Sequence, residues 1–198
     1  MISVDQIVDM HLPQLQRHPR ISQGVRGVLR RLLREQSFRN FAQQYPHLEG
    51  FQFVEQALEH FAFSYAVRDN ERERIPAQGR VVIIANHPIG SLDGLALLNL
   101  VGRIRRDVKI VANGLLAEVA PLKRLLLPVT MMGERSGARQ LKAILEHLQG
   151  DGAVIIFPAG EVSRLHPEGV RDGRWNNGFL RLAGQTQAPI VPIHIDGR

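Results

Sequence analysis

The chain contains no cysteine, which excludes disulfides, thiolate metal sites, thiol redox chemistry and a cysteine nucleophile, and leaves a reducing compartment open to it. Long hydrophobic runs are missing too. The strongest apolar stretches, residues 95–101 and 125–132, fall well short of the ~20 residues that a helix needs to cross a bilayer. Residues 1–15 carry Asp5 and Asp9 among their apolar positions, so the continuous apolar segment of a signal peptide is absent. Neither a spanning nor a secreted protein is expected. Aromatic residues are scarce, at 6%, and nucleic-acid binding through rings interleaved with basic residues is therefore not expected.

What is present is a basic, apolar-rich chain. Its 198 residues carry 25 Lys+Arg against 19 Asp+Glu, a net charge of +6 resting mainly on arginine. Such a balance suits an acidic partner, either an anionic membrane surface or an acidic carrier protein. A hydrophobic content of 44% is enough for one compact core.

Residues 4–65 read as helical. Within 21–34, Val25, Val28, Leu29, Leu32 and Leu33 form one apolar stripe, and Arg26, Arg30, Arg31 and Arg34 lie elsewhere on the same helix. That is the character of a helix lying in a membrane interface, although the same stripe would also serve plain packing on a core. A second helix is expected over 48–63, with Phe51, Val54, Leu58 and Phe61 facing the core. Beyond a polar stretch at 68–79 the pattern changes. Runs rich in Val and Ile at 81–85, 108–112, 153–157 and 190–195 read as buried strands, alternating with helices over 92–104, 138–148 and 177–187. The class is α/β: a central, largely parallel sheet flanked by helices at 68–198, with a helical N-terminal cap at 1–67 that is also the candidate membrane-interface element.

The sharpest chemical signal is Asn86-His87-Pro88-Ile89-Gly90-Ser91-Leu92-Asp93-Gly94, placed after a predicted strand and before a predicted helix. Ligands of α/β sheets collect at the carboxyl ends of strands, so His87 stands where chemistry is usual. Asp93 falls in the first helical turn, where the helix dipole favours its charge. A carboxylate within reach of one imidazole nitrogen fixes the tautomer and leaves the other free to accept a proton. Alternatively Asp93 only caps the helix and His87 only binds a backbone carbonyl. Ser91 is expected as a helix cap. No nucleophile elbow, Walker loop or dinucleotide fingerprint occurs, and His87, His166 and His194 lack close metal-ligand spacing. Neither a metal nor a bound cofactor is expected.

The motif resembles that of the glycerolipid and lysophospholipid acyltransferase family, in a longer bacterial form with five residues between His87 and Asp93 instead of four. That form is similar to the branch containing acyltransferases of ornithine-lipid synthesis and hemolysin-like proteins. Two further blocks follow in the family's order. Met131-Met132-Gly133-Glu134-Arg135 resembles the block whose arginine contacts the acceptor, and Phe157-Pro158-Ala159-Gly160-Glu161-Val162-Ser163-Arg164 resembles the acceptor-binding Phe-Pro-Glu-Gly-x-x-Ser-Arg block. Ala159 stands where the family has glutamate, and the acid comes two residues later as Glu161. Ile190-Val191-Pro192-Ile193-His194 resembles the Val-Pro strand near the end of the core, with His194 on that strand in a structural role.

The resemblance implies His87 and Asp93 as catalytic residues, and Arg135, Phe157, Pro158, Gly160, Glu161, Ser163 and Arg164 as acceptor-binding residues. It implies an O-acyltransferase that takes a fatty acyl group from an acyl carrier protein or CoA thioester to a hydroxyl of a lysolipid, such as lyso-ornithine lipid or lysophosphatidic acid. The place implied is the cytoplasmic face of the inner membrane, peripherally bound, and relatives of the branch continue past the position of Arg198. A non-catalytic lipid-binding scaffold and a thioester hydrolase using the same His and Asp are the alternatives. If the 21–34 helix is the membrane element, changing Arg26, Arg30, Arg31 and Arg34 together to Glu is expected to abolish sedimentation with anionic liposomes; unchanged sedimentation removes those arginines from membrane attachment.

Overall fold

The computed structural model describes residues 41, 44–113, 119–129, 134–166 and 169–196. The amphipathic segment at 21–34 lies outside them. The chain divides into two compact units, Met1–Leu48 and Glu49–Arg198, and the architecture below is that of the second.

Five parallel strands make the central sheet: β1 (Val81–Ala85), β2 (Val108–Asn113), β3 (Leu126–Val129), β4 (Ala153–Ile156) and β7 (Ile190–Ile193), in the order β3-β2-β4-β1-β7. A small antiparallel ribbon, β5 (Arg164–His166) with β6 (Gly169–Arg171), follows β4. The helices are α1 (Gly50–His60), α2 (Ser91–Gly102), α3 (Glu134–Gln149) and α4 (Gly178–Thr186). A 3₁₀ segment, Ala120–Leu125, precedes β3, and a single exposed helical turn, Asp69–Arg72, lies in the polar stretch ahead of β1.

Every residue of β1 is buried, because helices cover both faces of the sheet and leave no side for polar alternation. On one face Val82, Ile84 and Val154 join Ile144 and Leu148 of α3 and Leu182 and Ala183 of α4. On the other face α2 approaches so closely that a Cβ at Gly94 would lie 3.3 Å from Ile110 Cδ1. α1 packs on α2 in turn. The ring of Phe51 occupies the space over Gly102, where a Cβ would meet it at 2.3 Å.

Two elements differ from expectation in kind. β3 contains Pro128 and is only four residues long; as an edge strand it tolerates the missing N–H. β7, expected to be buried, is half-buried with Pro192 exposed, because among the described residues it forms the opposite edge and pairs with β1 alone. His194 lies just past that strand and is exposed.

The order of strands sets the site. From β1 the chain crosses through α2 to β2, beyond β4, whereas from β4 it crosses through α4 to β7 at the other edge. Neighbouring β1 and β4 therefore send their C-terminal connections over opposite faces of the sheet, which opens a crevice at that end.

The opposite end is closed by Arg105. Its Nε and Nη2 donate to the two carboxylate oxygens of Asp107 at 2.7 Å each, Nη1 donates to the carbonyls of Pro76 (3.0 Å) and Gly79 (2.7 Å), and Nη2 also donates to that of Asp151 (2.7 Å). All five guanidinium N–H groups are thus used, tying together the segments that lead into β1, β2 and β4. His147 joins this end, its Nε2–H directed at the carbonyls of Asp107 (2.8 Å) and Ala153 (3.2 Å). Burial first, and then the Lys109 charge, lower its pKa below the ordinary 6.5.

Arg105→Ala would leave these carbonyls and the Asp107 carboxylate without their donor, and is expected to cost about 3 kcal/mol or more, read as a lower urea midpoint with unchanged slope. The depressed pKa of His147 means that the unfolded chain takes up a proton that the folded chain resists. Its contribution is complete above about pH 6.5 and is lost as pH falls toward the lower folded-state value. Urea titrations from pH 7.5 down to 5 should show less acid weakening in His147→Gln than in the wild type.

Candidate active site

The crevice is walled by the segments leaving β1 and β4. His87 stands two residues past β1 and Phe157 immediately past β4, so pairing of those two strands brings them together. Their rings stack with centroids 4.0 Å apart and planes at 17°. The loop is also held from behind: Asn86 Nδ2 donates to Ile195 O (2.8 Å) and Asn86 Oδ1 accepts from Ile195 N (2.6 Å).

Gly90, not Ser91, is the N-cap of α2, and its φ of 103° and ψ of −137° belong to a region that glycine alone adopts freely. Ser91 is the first helical residue and is exposed. With the chain turned in this way, the amides of Ile89 and Gly90 both point at Asp93 Oδ2, at 2.8 and 3.0 Å. His87 Nδ1 reaches the same oxygen at 3.0 Å.

Asp93 is 1% exposed, and its Oδ1 is buried without a hydrogen-bond partner among the described residues. The capping and histidine-orienting roles that the sequence left as alternatives are therefore filled by the same carboxylate oxygen. An ionised carboxylate accepts only, which in a neutral imidazole places the proton on Nδ1 and leaves Nε2 its lone pair. Among the described residues Nε2 has no hydrogen-bond partner. The side chain of His87 is 15% exposed, a ring held on one face and at one nitrogen, with a small opening to solvent.

The remaining residues of the expected site fall into distinct places. Pro158 is buried and its carbonyl accepts from Asn176 N (2.9 Å); Gly160, with φ of 68°, completes the turn in which its N–H donates to Phe157 O (3.0 Å). Ser163 N donates to His87 O at 2.8 Å, and its hydroxyl donates to Asp172. Glu161 is turned back along the loop: a Cβ at Gly173 would come within 2.7 Å of its Oε1. Arg135 is the second residue of α3 and Arg164 the first of β5; their side chains lie outside the described residues.

Sequence reading did not single out Asp172 or Trp175, or any role for Asn86 within its motif. The chain's one tryptophan, three residues after an aspartate, was the available signal; its Nε1 donates to Asp172 Oδ2 at 2.8 Å. Ile89, two residues past His87, is 42% exposed and Val162, whose Cγ2 would lie 3.7 Å from a Cβ at Gly90, 44%, so the loops that carry the site expose apolar side chains. Among the described residues no cluster of His, Asp or Glu could hold a metal, and no helix is long and apolar enough to cross a membrane.

A family profile described as an acyltransferase matches residues 6–198. Lyso-glycine lipid O-acyltransferase of Bacteroides thetaiotaomicron is 28% identical over 200 residues, covering 100% of this chain and 71% of that protein. The protein of the same description from Phocaeicola vulgatus is 27% identical over 180 residues, covering 90% of this chain and 63% of that one. The chain thus spans about two thirds of the length of these curated relatives. The crystal structure of the 1-acyl-sn-glycerophosphate (LPA) acyltransferase PlsC from Thermotoga maritima has a similar fold, with a TM-score of 0.51 at 20% identity over 72% of this chain and 53% of that chain.

The tautomer is directly measurable. Nitrogen NMR of labelled histidine is expected to show the proton of the neutral His87 ring on Nδ1 in the wild type and on Nε2 in Asp93→Ala, where Nδ1 has lost its acceptor. An unchanged tautomer in that variant would separate Asp93 from control of His87.

Proposed function

Because the chain belongs to the acyltransferase family, we propose that it moves a fatty acyl group from a thioester to a hydroxyl of a lysolipid acceptor, with His87 as general base. The observation that carries this reading is the buried Asp93 carboxylate, which meets His87 at Nδ1 and leaves Nε2, among the described residues, without a partner at the sheet's crevice. In the proposed step the acceptor hydroxyl attacks the thioester carbonyl as its proton passes to Nε2. The tetrahedral oxyanion then collapses, the C–S bond breaks, and the leaving thiolate takes the proton back, giving an ester and a free thiol. Since the amides of Ile89 and Gly90 are engaged by Asp93 and that of Asp93 by Gly90 O, the oxyanion is met by the amides of Ser91 and Leu92, whose position in the first turn leaves them without intrahelical acceptors.

The donor is an acyl carrier protein or CoA thioester, and no metal or bound cofactor takes part. The acyl chain lies along the exposed apolar side chains of Ile89 and Val162, with the protein held peripherally at an anionic membrane surface on the cytoplasmic side. Arg135 and Arg164 hold the anionic head of the acceptor, as a planar guanidinium holds carboxylate or phosphate. Lyso-glycine lipid, named for both curated relatives, is the first acceptor to test, followed by lyso-ornithine lipid and lysophosphatidic acid.

The test pairs palmitoyl-CoA and palmitoyl-acyl carrier protein with each of these three lysolipids and separates the lipid products. Diacylated product is expected, and His87→Ala should lower its rate by roughly 10² to 10⁴ while keeping the wild-type circular dichroism. Free fatty acid without acylated lipid would replace transfer by thioester hydrolysis; bound lipid with no product would make the chain a binding protein. Wild-type turnover in the folded His87→Ala variant would remove the histidine base.

A further inference from the structure

Asp172 lies outside the motif blocks, yet three segments meet on its carboxylate. Oδ1 accepts from the backbone N–H of His87 at 3.2 Å and from the hydroxyl of Ser163, and Oδ2 accepts from the indole N–H of Trp175 at 2.8 Å. The ribbon explains the placement. Its register pairs Arg164 with Arg171, and one step further out, at the open end, Ser163 stands opposite Asp172. Ser163 in turn donates its own N–H to His87 O at 2.8 Å. The peptide of His87 is therefore held on both sides, its N–H by Asp172 and its C=O by Ser163, and both grips come from the ribbon that follows β4.

We propose that Asp172 is a positioning residue: it clamps the His87 backbone to the mouth of the β5–β6 ribbon and so fixes the direction in which Nε2 faces the substrate. The ring is already fixed at Nδ1 by Asp93 and on one face by Phe157. Those contacts set its tilt and tautomer. Where the ring sits along the crevice depends on the backbone that carries it, and there Asp172 acts. It also gives the Ser163 hydroxyl a partner within the protein, so that Ser163 serves the clamp. The inference rests on the acyl-transfer reading for its kinetic effect, but not for the hydrogen bond itself.

Four variants, Asp172→Ala, Asp172→Asn, Trp175→Phe and the Asp172→Asn/Trp175→Phe double variant, test it in the full chain, with palmitoyl-CoA or palmitoyl-acyl carrier protein and whichever lysolipid is turned over. Asp172→Ala is expected to lower kcat on the order of 10²-fold, the scale of a misplaced reacting group, with KM nearly unchanged, as befits a group acting on the transition state and not on ground-state binding. Asp172→Asn keeps an oxygen for His87 and Ser163 but turns an amide N–H against the Trp175 indole N–H, two donors face to face, and should also be slow. Adding Trp175→Phe removes that opposition, so the double variant should recover most of the kcat of Trp175→Phe alone. Amide hydrogen exchange at His87, protected in the wild type, should speed up in Asp172→Ala and return toward the Trp175→Phe value in the double variant.

Wild-type kcat in Asp172→Ala, a rise in KM that accounts for the loss, or a double variant as slow as Asp172→Asn would each overturn the clamp. Should Asp172→Ala not fold, the isosteric Asp172→Asn carries the test, and wild-type turnover there would overturn it equally. The exchange measurement keeps the two readings apart: if His87→Ala retains full turnover the histidine-base reading falls, while exchange at His87 still reports whether Asp172 holds it.

Discussion

Three N–H groups converge on one oxygen of Asp93: the imidazole Nδ1–H of His87 and the amides of Ile89 and Gly90. A carboxylate almost wholly out of water is costly unless its charge is met, and here it is met by donors and by the positive end of α2. Its presence therefore dictates the course of the loop between β1 and α2. The two amides can turn inward together only because Gly90 takes a backbone conformation closed to other residues. Helix initiation, loop shape and histidine tautomer follow from one contact.

This accounts for the longer spacing between His87 and Asp93. Five intervening residues do not place the two side chains on one helical face, and they need not. His87 stays at the end of β1, Asp93 enters in the first turn of α2, and the loop between them wraps its amides around the carboxylate. What the spacing must allow is a meeting in space at 3.0 Å. The sheet does the rest, since the pairing of β1 with β4 lays Phe157 against the other side of the imidazole.

The two ends of the sheet are built differently. At the Arg105 end every guanidinium donor has an acceptor, and three segments are tied to one side chain. At the His87 end groups are left open: among the described residues Asp93 Oδ1 is buried without a partner and Nε2 is unengaged, and Ile89 and Val162 present apolar surface. Departures from full satisfaction gather where a site must meet something other than itself. The satisfied end holds the strands in register so that the open end can keep its geometry.

The α/β class, the parallel strands and the principal helices were legible in the chain because buried parallel strands and amphipathic helices write distinct periods of hydrophobicity, as in Val81–Ala85 and α1. The chemical pair was legible because His87 and Asp93 are close in sequence and sit on a strand-to-helix junction. β3 and the β5–β6 ribbon were not, since Pro128 interrupts the first and the ribbon strands, three residues each, are too short to show a period. Nor was the edge position of β7, because strand order is set by pairing between distant segments and leaves no trace within any one of them. Asp172 shows the same division. In the sequence it is an acid 85 residues from His87, with nothing local to single it out. Local chemistry, read along the chain, determined which residues carry charge and which bury; only the pairing of β1 with β4 and the turn of the ribbon decided that Asp172, Ser163 and Phe157 surround His87, because contacts between distant segments exist only once the sheet has formed.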